Sequence, residues 1–299
     1  VRDLPAEGPD YIEHVVETAA GARLDGMRIV VDCANGAASV VGPQALRRLG
    51  AEVVPIHAEP DGSNINVGCG ALHPEVVAAA VTDAGADAGV AHDGDADRAL
   101  FADAEGNVID GDQVLAACAL SMKAEGSLTG DLVVATVMAN LGFHAAMQSA
   151  GIRVVPAPVG DRYVLEQMQE HGAVLGGEQS GHVIFRRHAT TGDGLITAVQ
   201  FLSLAARNGV SVADLAGRMR RFPQVLRNVE VARKEALDEA PEVWDAVRAS
   251  EAELDGTGRV LVRASGTEPL VRVMVEAETE EVARRHADSL AERVSTALG

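Results

Sequence analysis

Aromatic residues make up only 3% of the 299 residues: five Phe, two Tyr and one Trp. Proteins that stack on single-stranded nucleic acid need several rings interleaved with basic residues, and this chain lacks them. Positive charge is scarce as well, with 25 Lys and Arg against 44 Asp and Glu and a formal net charge of -19. A surface of that sign repels nucleic acid and anionic membranes, so neither is an expected partner. Lysine is nearly absent, with Lys123 and Lys234 the only ones; the remaining positive charge is Arg, the better bidentate partner for phosphate. Cys33, Cys69 and Cys118 are scattered, odd in number and form no Cys-x-x-Cys pair. That excludes a disulfide framework, gives no zinc spacing, and points to a reducing cytoplasm. No apolar run approaches the ~20 residues of a membrane span, and the opening VRDLPAEGPD is no signal peptide. An anionic substrate would therefore need a local island of positive charge.

Against that background one stretch stands out. VAHDGDADRALFAD at 90–103 sets Asp93, Asp95 and Asp97 at every second position between two apolar, strand-like runs, with Arg98 directly after the third. Two unit charges ~4 Å apart repel by about 4 kcal/mol at an effective dielectric near 20, so the trio needs open water or a cation. A solvated turn is the ordinary reading of an acidic loop. The apolar flanks and the strict alternation argue instead for a divalent ion, and all-oxygen donors select Mg²⁺, Ca²⁺ or Mn²⁺ over zinc. An EF-hand shares this opening spacing, but its sixth position must be Gly and its twelfth Glu. Counted from Asp93 those positions hold Arg98 and Ala104, so the EF-hand fails. A cation beside an Arg, in a loop leaving a strand, suits the neutralisation of a phosphate.

Short β-type runs alternate with amphipathic segments of helical length, the pattern of βα units on a mostly parallel sheet. MRIVVDCANGAASVVGPQALRRLGAEVVPI reads as strand, Gly-containing turn, helix and strand, with the first strand ending at Asp32. A second copy follows: Val53-Val54-Pro55 recurs as Val154-Val155-Pro156, and Gly50 recurs as Gly151. After each copy a further strand ends in a polar loop, DGDADR in the first and GEQSGH at 177–182 in the second. Ligands in open α/β sheets gather outside the carboxyl ends of strands, so the repeat marks both loops as candidate sites. From residue 221 the texture changes to three strand-like runs, a helical pattern around Trp244, and a last helix with Val282, His286, Leu290 and Val294 four residues apart. The expected architecture is two related α/β domains, 1–103 and 104–220, plus a C-terminal α+β domain, 221–299.

RASGTEP at 263–269 is the third chemical stretch. Alone it is the sort of Gly-containing turn that joins two strands. With Arg263, Ser265, Gly266, Thr267 and Arg272 it could also cradle a phosphate between guanidinium groups and backbone N–H groups. DGDADR, GEQSGH and RASGTEPLVR, in this order and at these separations, resemble the metal, sugar and phosphate loops of the α-D-phosphohexomutase superfamily. PDGSNINVGCGALHPE at 60–75 and VGDRYVLEQMQ at 159–169 are similar to its bacterial phosphoglucosamine mutase branch.

The resemblance covers essentially the whole chain. It implies an isomerase that interconverts glucosamine 6-phosphate and glucosamine 1-phosphate through glucosamine 1,6-bisphosphate, in amino-sugar and cell-wall precursor metabolism. By the same resemblance Asp93, Asp95 and Asp97 match Mg²⁺ ligands and Arg98 matches a contact to the transferring phosphoryl group. Glu178 and Ser180 match contacts to sugar hydroxyls, His182 lies at a position associated with proton transfer, and Arg263, Ser265, Gly266, Thr267 and Arg272 match the clamp on the non-reacting phosphate. Family members begin with a further domain carrying a phosphorylatable serine in a Ser-His-Asn-Pro loop. No such loop occurs here and the sequence opens on Val1, so the expectation is a fragment lacking its N-terminal phosphoserine domain and inactive alone. A phosphomannomutase or phosphoglucomutase is the alternative within the superfamily, and a non-catalytic metal- and sugar-phosphate-binding module is the alternative outside catalysis.

Other residues have plainer readings. Asp161 and Arg162 open a helix after PVG, where capping competes with a substrate contact. His92 borders the metal loop as a structural residue, because a hard-oxygen site prefers carboxylates. Cys118 belongs to a core helix face. NGAAS after the first strand is not a Gly-x-Gly-x-x-Gly motif and marks no nucleotide site.

Overall fold

The runs IVVD, AGVAH and LVVAT are apolar on both faces, as strands inside a parallel sheet must be. A computed structural model describes residues 8–266 and 268–299 and places these runs in the middle of two sheets. Contacts divide the chain into two units, Val1–Ala139 with Phe143–Arg220, and Asn140–Gly142 with Arg221–Gly299.

The first unit opens with α1 (Gly8–Glu17), β1 (Arg28–Asp32), α2 (Ala38–Arg48), β2 (Glu52–Ile56), α3 (Pro74–Ala84), β3 (Ala88–His92), β4 (Ala99–Asp103) and β5 (Val108–Ile109). It continues with α4 (Gly111–Ala124), β6 (Leu132–Thr136), α5 (Leu141–Ser149, all but its first two residues in this unit), β7 (Arg153–Ala157), α6 (Asp161–His171), β8 (Leu175–Gly177), β9 (Val183–Phe185), α7 (Gly194–Asn208) and α8 (Val212–Ala216). One sheet has the order β2-β1-β3-β4-β5 and the other β7-β6-β8-β9. In both, the first three strands are parallel and the next turns back antiparallel. The Val-Val-Pro repeat lies on β2 and β7, the outermost strand of each sheet. Proline has no N–H to give a ladder, so an edge is where a strand tolerates it. The first sheet runs on past the expected seam at 103/104, because Val108–Ile109 pairs back onto Ala102 and Phe101.

A continuous core joins the halves of this unit. Phe101 of β4 and Phe201 of α7 meet at 4.7 Å between ring centres, a contact of about 1 kcal/mol beyond simple burial. Asp193 caps α7 by accepting the N–H groups of Leu195 and Ile196, and Tyr11 of α1 donates to the same carboxylate at 2.8 Å. Burial and that negative neighbour raise the Tyr11 pKa well above the ordinary phenol range.

The second unit holds β10 (Gln224–Glu230), α9 (Pro241–Leu254), β11 (Gly258–Ala264), β12 (Leu270–Ala277) and α10 (Glu280–Leu298). Its antiparallel sheet has the order β10-β12-β11, with both long helices packed on it. The central β12 is buried along most of its length, and α10 covers the sheet with His286, Leu290 and Val294. This is the expected helix-on-sheet fold, with Trp244 on α9.

Candidate functional site

The metal-type loop joins β3 to β4. Asp93 is buried, Asp95 exposed and Asp97 half-buried, and one carboxylate oxygen from each lies within 4.8 Å of the others. Ala96 takes a left-handed backbone at φ +63, which turns the chain tightly enough to converge the three. The loop is braced from below: Ala37 N–H donates to the Gly94 carbonyl at 2.9 Å, across an approach so close that a Cβ on Gly36 would stand 2.2 Å from the same oxygen. His92 is buried and its Nδ1 meets the Arg98 carbonyl at 2.9 Å. A carbonyl only accepts, so Nδ1 carries the proton, and burial keeps the ring neutral by lowering its pKa. His92 therefore fixes the loop from behind.

The charges in this loop are not self-sufficient. Arg98 Nε stands 3.4 Å from Asp93 and 3.7 Å from Asp97, yet Nε and Asp97 Oδ1 are both buried without a hydrogen-bond partner. Burial, and then the charge of Asp97, raise the Asp93 pKa, with Arg98 opposing them. A hard divalent cation would neutralise the trio and occupy the unused Asp97 oxygen, so the donor set fits Mg²⁺.

The GEQSGH loop joins β8 to β9 and touches the first loop directly. His182 is only 2% exposed; its Nδ1 donates to Asp97 Oδ2 at 3.0 Å and its Nε2 accepts from the Gly192 N–H at 3.2 Å. Both ring nitrogens are thus committed, one to a candidate metal ligand and one to backbone. Such a pairing orients the carboxylate, as outer-shell partners of metal ligands do. Gly192 is required: a Cβ there would stand 2.3 Å from the ring. The two loops are also stitched by Ala99 N–H to the Gly181 carbonyl at 3.1 Å, and the first residue of α7, Gly194, donates its N–H to the Ala96 carbonyl at 2.9 Å.

Glu178 accepts the Gly160 N–H at 2.9 Å, and Ser180 Oγ approaches its other oxygen at 3.4 Å. This anchors the loop to the VGD turn. Gly160 itself occupies the cap position of α6 with no side-chain capping bond, so Asp161 is an exposed first-turn residue and Arg162 pairs with Glu166 on the helix surface. Of the two readings open for this pair, capping is not the one seen.

In the second unit Arg263 and Arg272 are direct cross-strand partners on β11 and β12. Like charges facing each other destabilise a sheet, unless an anion comes between them. Arg272 is held by Glu268 at 2.8 Å, while Ser265 Oγ accepts the Glu268 N–H at 3.3 Å. Lys234 braces the loop by donating to the carbonyls of Ser265 and Glu268 at 2.8 and 2.9 Å. Sequence reasoning gave Lys234 no role, and only its rarity could have flagged it. Gly266 has an ordinary backbone conformation, and a Cβ there would meet open space, so the fold makes no demand for glycine. Thr267 lies outside the described residues.

Family models match three consecutive segments: "Phosphoglucomutase/phosphomannomutase, alpha/beta/alpha domain II" over 9–106, "alpha/beta/alpha domain III" over 110–222 and "C-terminal domain" over 226–293. The chain is 55% identical over 298 residues to the phosphoglucosamine mutase of Frankia alni and 56% identical over 299 residues to that of Acidothermus cellulolyticus. Each match takes in 100% of this chain and 65% of the relative, so the chain spans about 65% of the length of these relatives. Among solved structures it is similar to a phosphoglucomutase/phosphomannomutase family protein from Burkholderia thailandensis, with TM-score 0.79 and 25% identity over 97% of this chain and 64% of that one. The fold is also that of an Aspergillus fumigatus N-acetylphosphoglucosamine mutase in complex with GlcNAc-6P and magnesium, with TM-score 0.79 and 22% identity over 95% of this chain and 69% of that one. A glucose 1,6-bisphosphate complex of the Aspergillus enzyme matches with TM-score 0.74 and 22% identity over 96% and 64%. No helix among the described residues is long and apolar enough to cross a membrane.

Proposed function

The chain belongs to the phosphoglucomutase/phosphomannomutase family, and on that premise we propose that it carries the metal, sugar and phosphate loops of a cytoplasmic phosphoglucosamine mutase. The reaction is the interconversion of glucosamine 6-phosphate and glucosamine 1-phosphate through the 1,6-bisphosphate. The observation that supports it best is the Asp97–His182 joint, which fastens the acidic loop of one sheet to the GEQSGH loop of the other. Identities of 55% and 56% to phosphoglucosamine mutases favour the amino sugar.

In this reading Asp93, Asp95 and Asp97 hold Mg²⁺, which when bound neutralises charge on the phosphoryl group. Arg98 shares that neutralisation, and His182 acts through Asp97 by holding its carboxylate. Glu178 and Ser180 meet sugar hydroxyls. Arg263, Arg272, Ser265, Gly266 and Thr267 clamp the phosphate that does not react, and a bound phosphate relieves the repulsion between the two Arg side chains. The same proposal keeps three functional segments, 1–103, 104–220 and 221–299.

The test measures this chain as it stands and joined to the part of the Frankia alni relative that it does not cover. The expected result is one Mn²⁺ displaced by Mg²⁺ in electron paramagnetic resonance, binding of glucosamine 6-phosphate, and interconversion in the joined form. Faster turnover of mannose or glucose phosphates would move the chain to another branch of the family. Metal binding without sugar-phosphate binding or turnover in either form would leave a metal-binding module.

A further inference from the structure

The carboxyl ends of β1 and β2 hold a second group of ligand-type side chains that the proposed reaction does not use. Asp32 ends β1 and is fully buried, His57 follows β2, and Cys69, also fully buried, sits in the loop before α3. One carboxylate oxygen, one ring nitrogen and the thiol sulfur lie within 4.8 Å of one another. Positions 32, 57 and 69 form no recognisable metal spacing, so the sequence concealed the group.

Two features point to a ligand and not to a finished polar cluster. His57 Nδ1 is 3.2 Å from Asp32 Oδ1, but the nitrogen is buried and makes no hydrogen bond. The Asp32 oxygens accept the Ala34 N–H and the Gly70 N–H, both at 2.9 Å. A carboxylate oxygen has two acceptor sites, so each retains one, with the carboxylate already aimed by backbone.

We propose that Asp32, His57 and Cys69 form a second cation site, selective for a borderline divalent ion such as zinc. A set of one oxygen, one nitrogen and one sulfur suits zinc or cobalt and is a poor match for magnesium. Three protein ligands with the fourth position left to water is an established zinc arrangement, and the partly exposed His57 gives solvent a route to it. With bonds of about 2.0–2.3 Å, tetrahedral ligands stand roughly 3.5 Å apart, so the three side chains need to close by little more than about 1 Å. The cation has to displace the thiol proton, which burial and the Asp32 charge hold in place. Occupancy would tie three segments together. Asn66 in the Cys69 loop already donates to Ala34 at 3.0 Å, and Ala37 to Gly94 of the acidic loop, so the site lies under the ground on which Asp93 stands. The inference does not depend on the mutase reading.

The experiment is a Co²⁺ titration of the reduced chain in excess Mg²⁺. The expected result is one equivalent bound with thiolate-to-cobalt charge-transfer absorption and the visible bands of tetrahedral cobalt. Cys69→Ser removes the charge-transfer band, His57→Ala lowers affinity at least about tenfold, and Cys33→Ser and Asp95→Asn leave the spectrum intact. Absence of a thiolate band in the parent chain overturns the proposal, as does a band that survives Cys69→Ser or disappears in Cys33→Ser. His57→Ala changes a partly exposed residue and keeps the test decisive where Cys69→Ser fails to fold, since cobalt affinity unaltered by that variant also overturns it.

Discussion

The loop after β3 and the loop after β8 occupy the same place in two related sheets, yet one is left electrostatically open and the other is closed. The β3 loop crowds three carboxylates and leaves Asp97 Oδ1 and Arg98 Nε without hydrogen bonds. The β8 loop carries one carboxylate, Glu178, which has taken a backbone N–H from Gly160 and approaches Ser180. A repeated backbone therefore supports opposite electrostatics: one copy leaves charged atoms without partners, and the other ties its single carboxylate to backbone and hydroxyl. His182 couples them, because its ring belongs to the closed loop and its hydrogen bond to the open one.

The largest break in this comparison comes from Asp97→Asn. Mn²⁺ affinity, measured by electron paramagnetic resonance, is expected to fall at least about 100-fold, since the candidate ligand loses its charge and its hydrogen bond from His182 is no longer charge-assisted. Thermal stability of the metal-free chain should hold or rise as repulsion is relieved. A drop in that stability with affinity intact would sink the metal assignment. Next, Gly192→Ala leaves every candidate ligand in place but drives a Cβ toward the His182 ring. About tenfold weaker Mn²⁺ binding is expected, and unchanged binding would show that Asp97 needs no positioning.

Glu178→Ala should act on the closed loop alone, lowering glucosamine 6-phosphate affinity about tenfold through the lost charged hydrogen bond while Mn²⁺ affinity stays constant. Calorimetry on both ligands separates the two loops. A smaller effect concerns pH. Asp93 has its pKa raised by burial and Asp97, so its stabilising contribution is full below the ordinary carboxylate pKa and is lost as pH rises through the raised value. Metal-free chain should accordingly lose stability across that window relative to Asp93→Asn, and Mg²⁺ should abolish the difference in chemical denaturation. The smallest expected effect is none: Cys33 in the first half and Cys118 in the second both have pKa values pushed up to about 12 by burial. Neither should react with a thiol reagent at pH 8 until the chain is unfolded, and rapid labelling of one would show that the two halves of the shared core differ as their loops do.

Much of this was legible in the chain itself. Three carboxylates alternating between apolar runs have few physical outcomes, and Val-Val-Pro repeated at edge strands betrays a duplicated βα unit. The Arg263 and Arg272 pairing follows from the hairpin once β11 and β12 are recognised. Other features had no local signal. Gly192 is one glycine among 31 until the His182 ring is seen against it. Lys234 reaches back to carbonyls of residues 265 and 268, a contact set by where a short helical turn meets a hairpin.

Local order and composition thus determined the strand and helix periods, the βα repeat, the acidic loop and the net negative charge, because each depends on residues close together or on the sum of all charges. Only the tertiary structure decided which nitrogen of His182 faces Asp97, which carboxylate oxygen remains unpaired, and that Asp32, His57 and Cys69 converge. Those facts depend on strands parallel to one another, whose loop ends become neighbours only after the intervening helices have carried the chain back to the same edge.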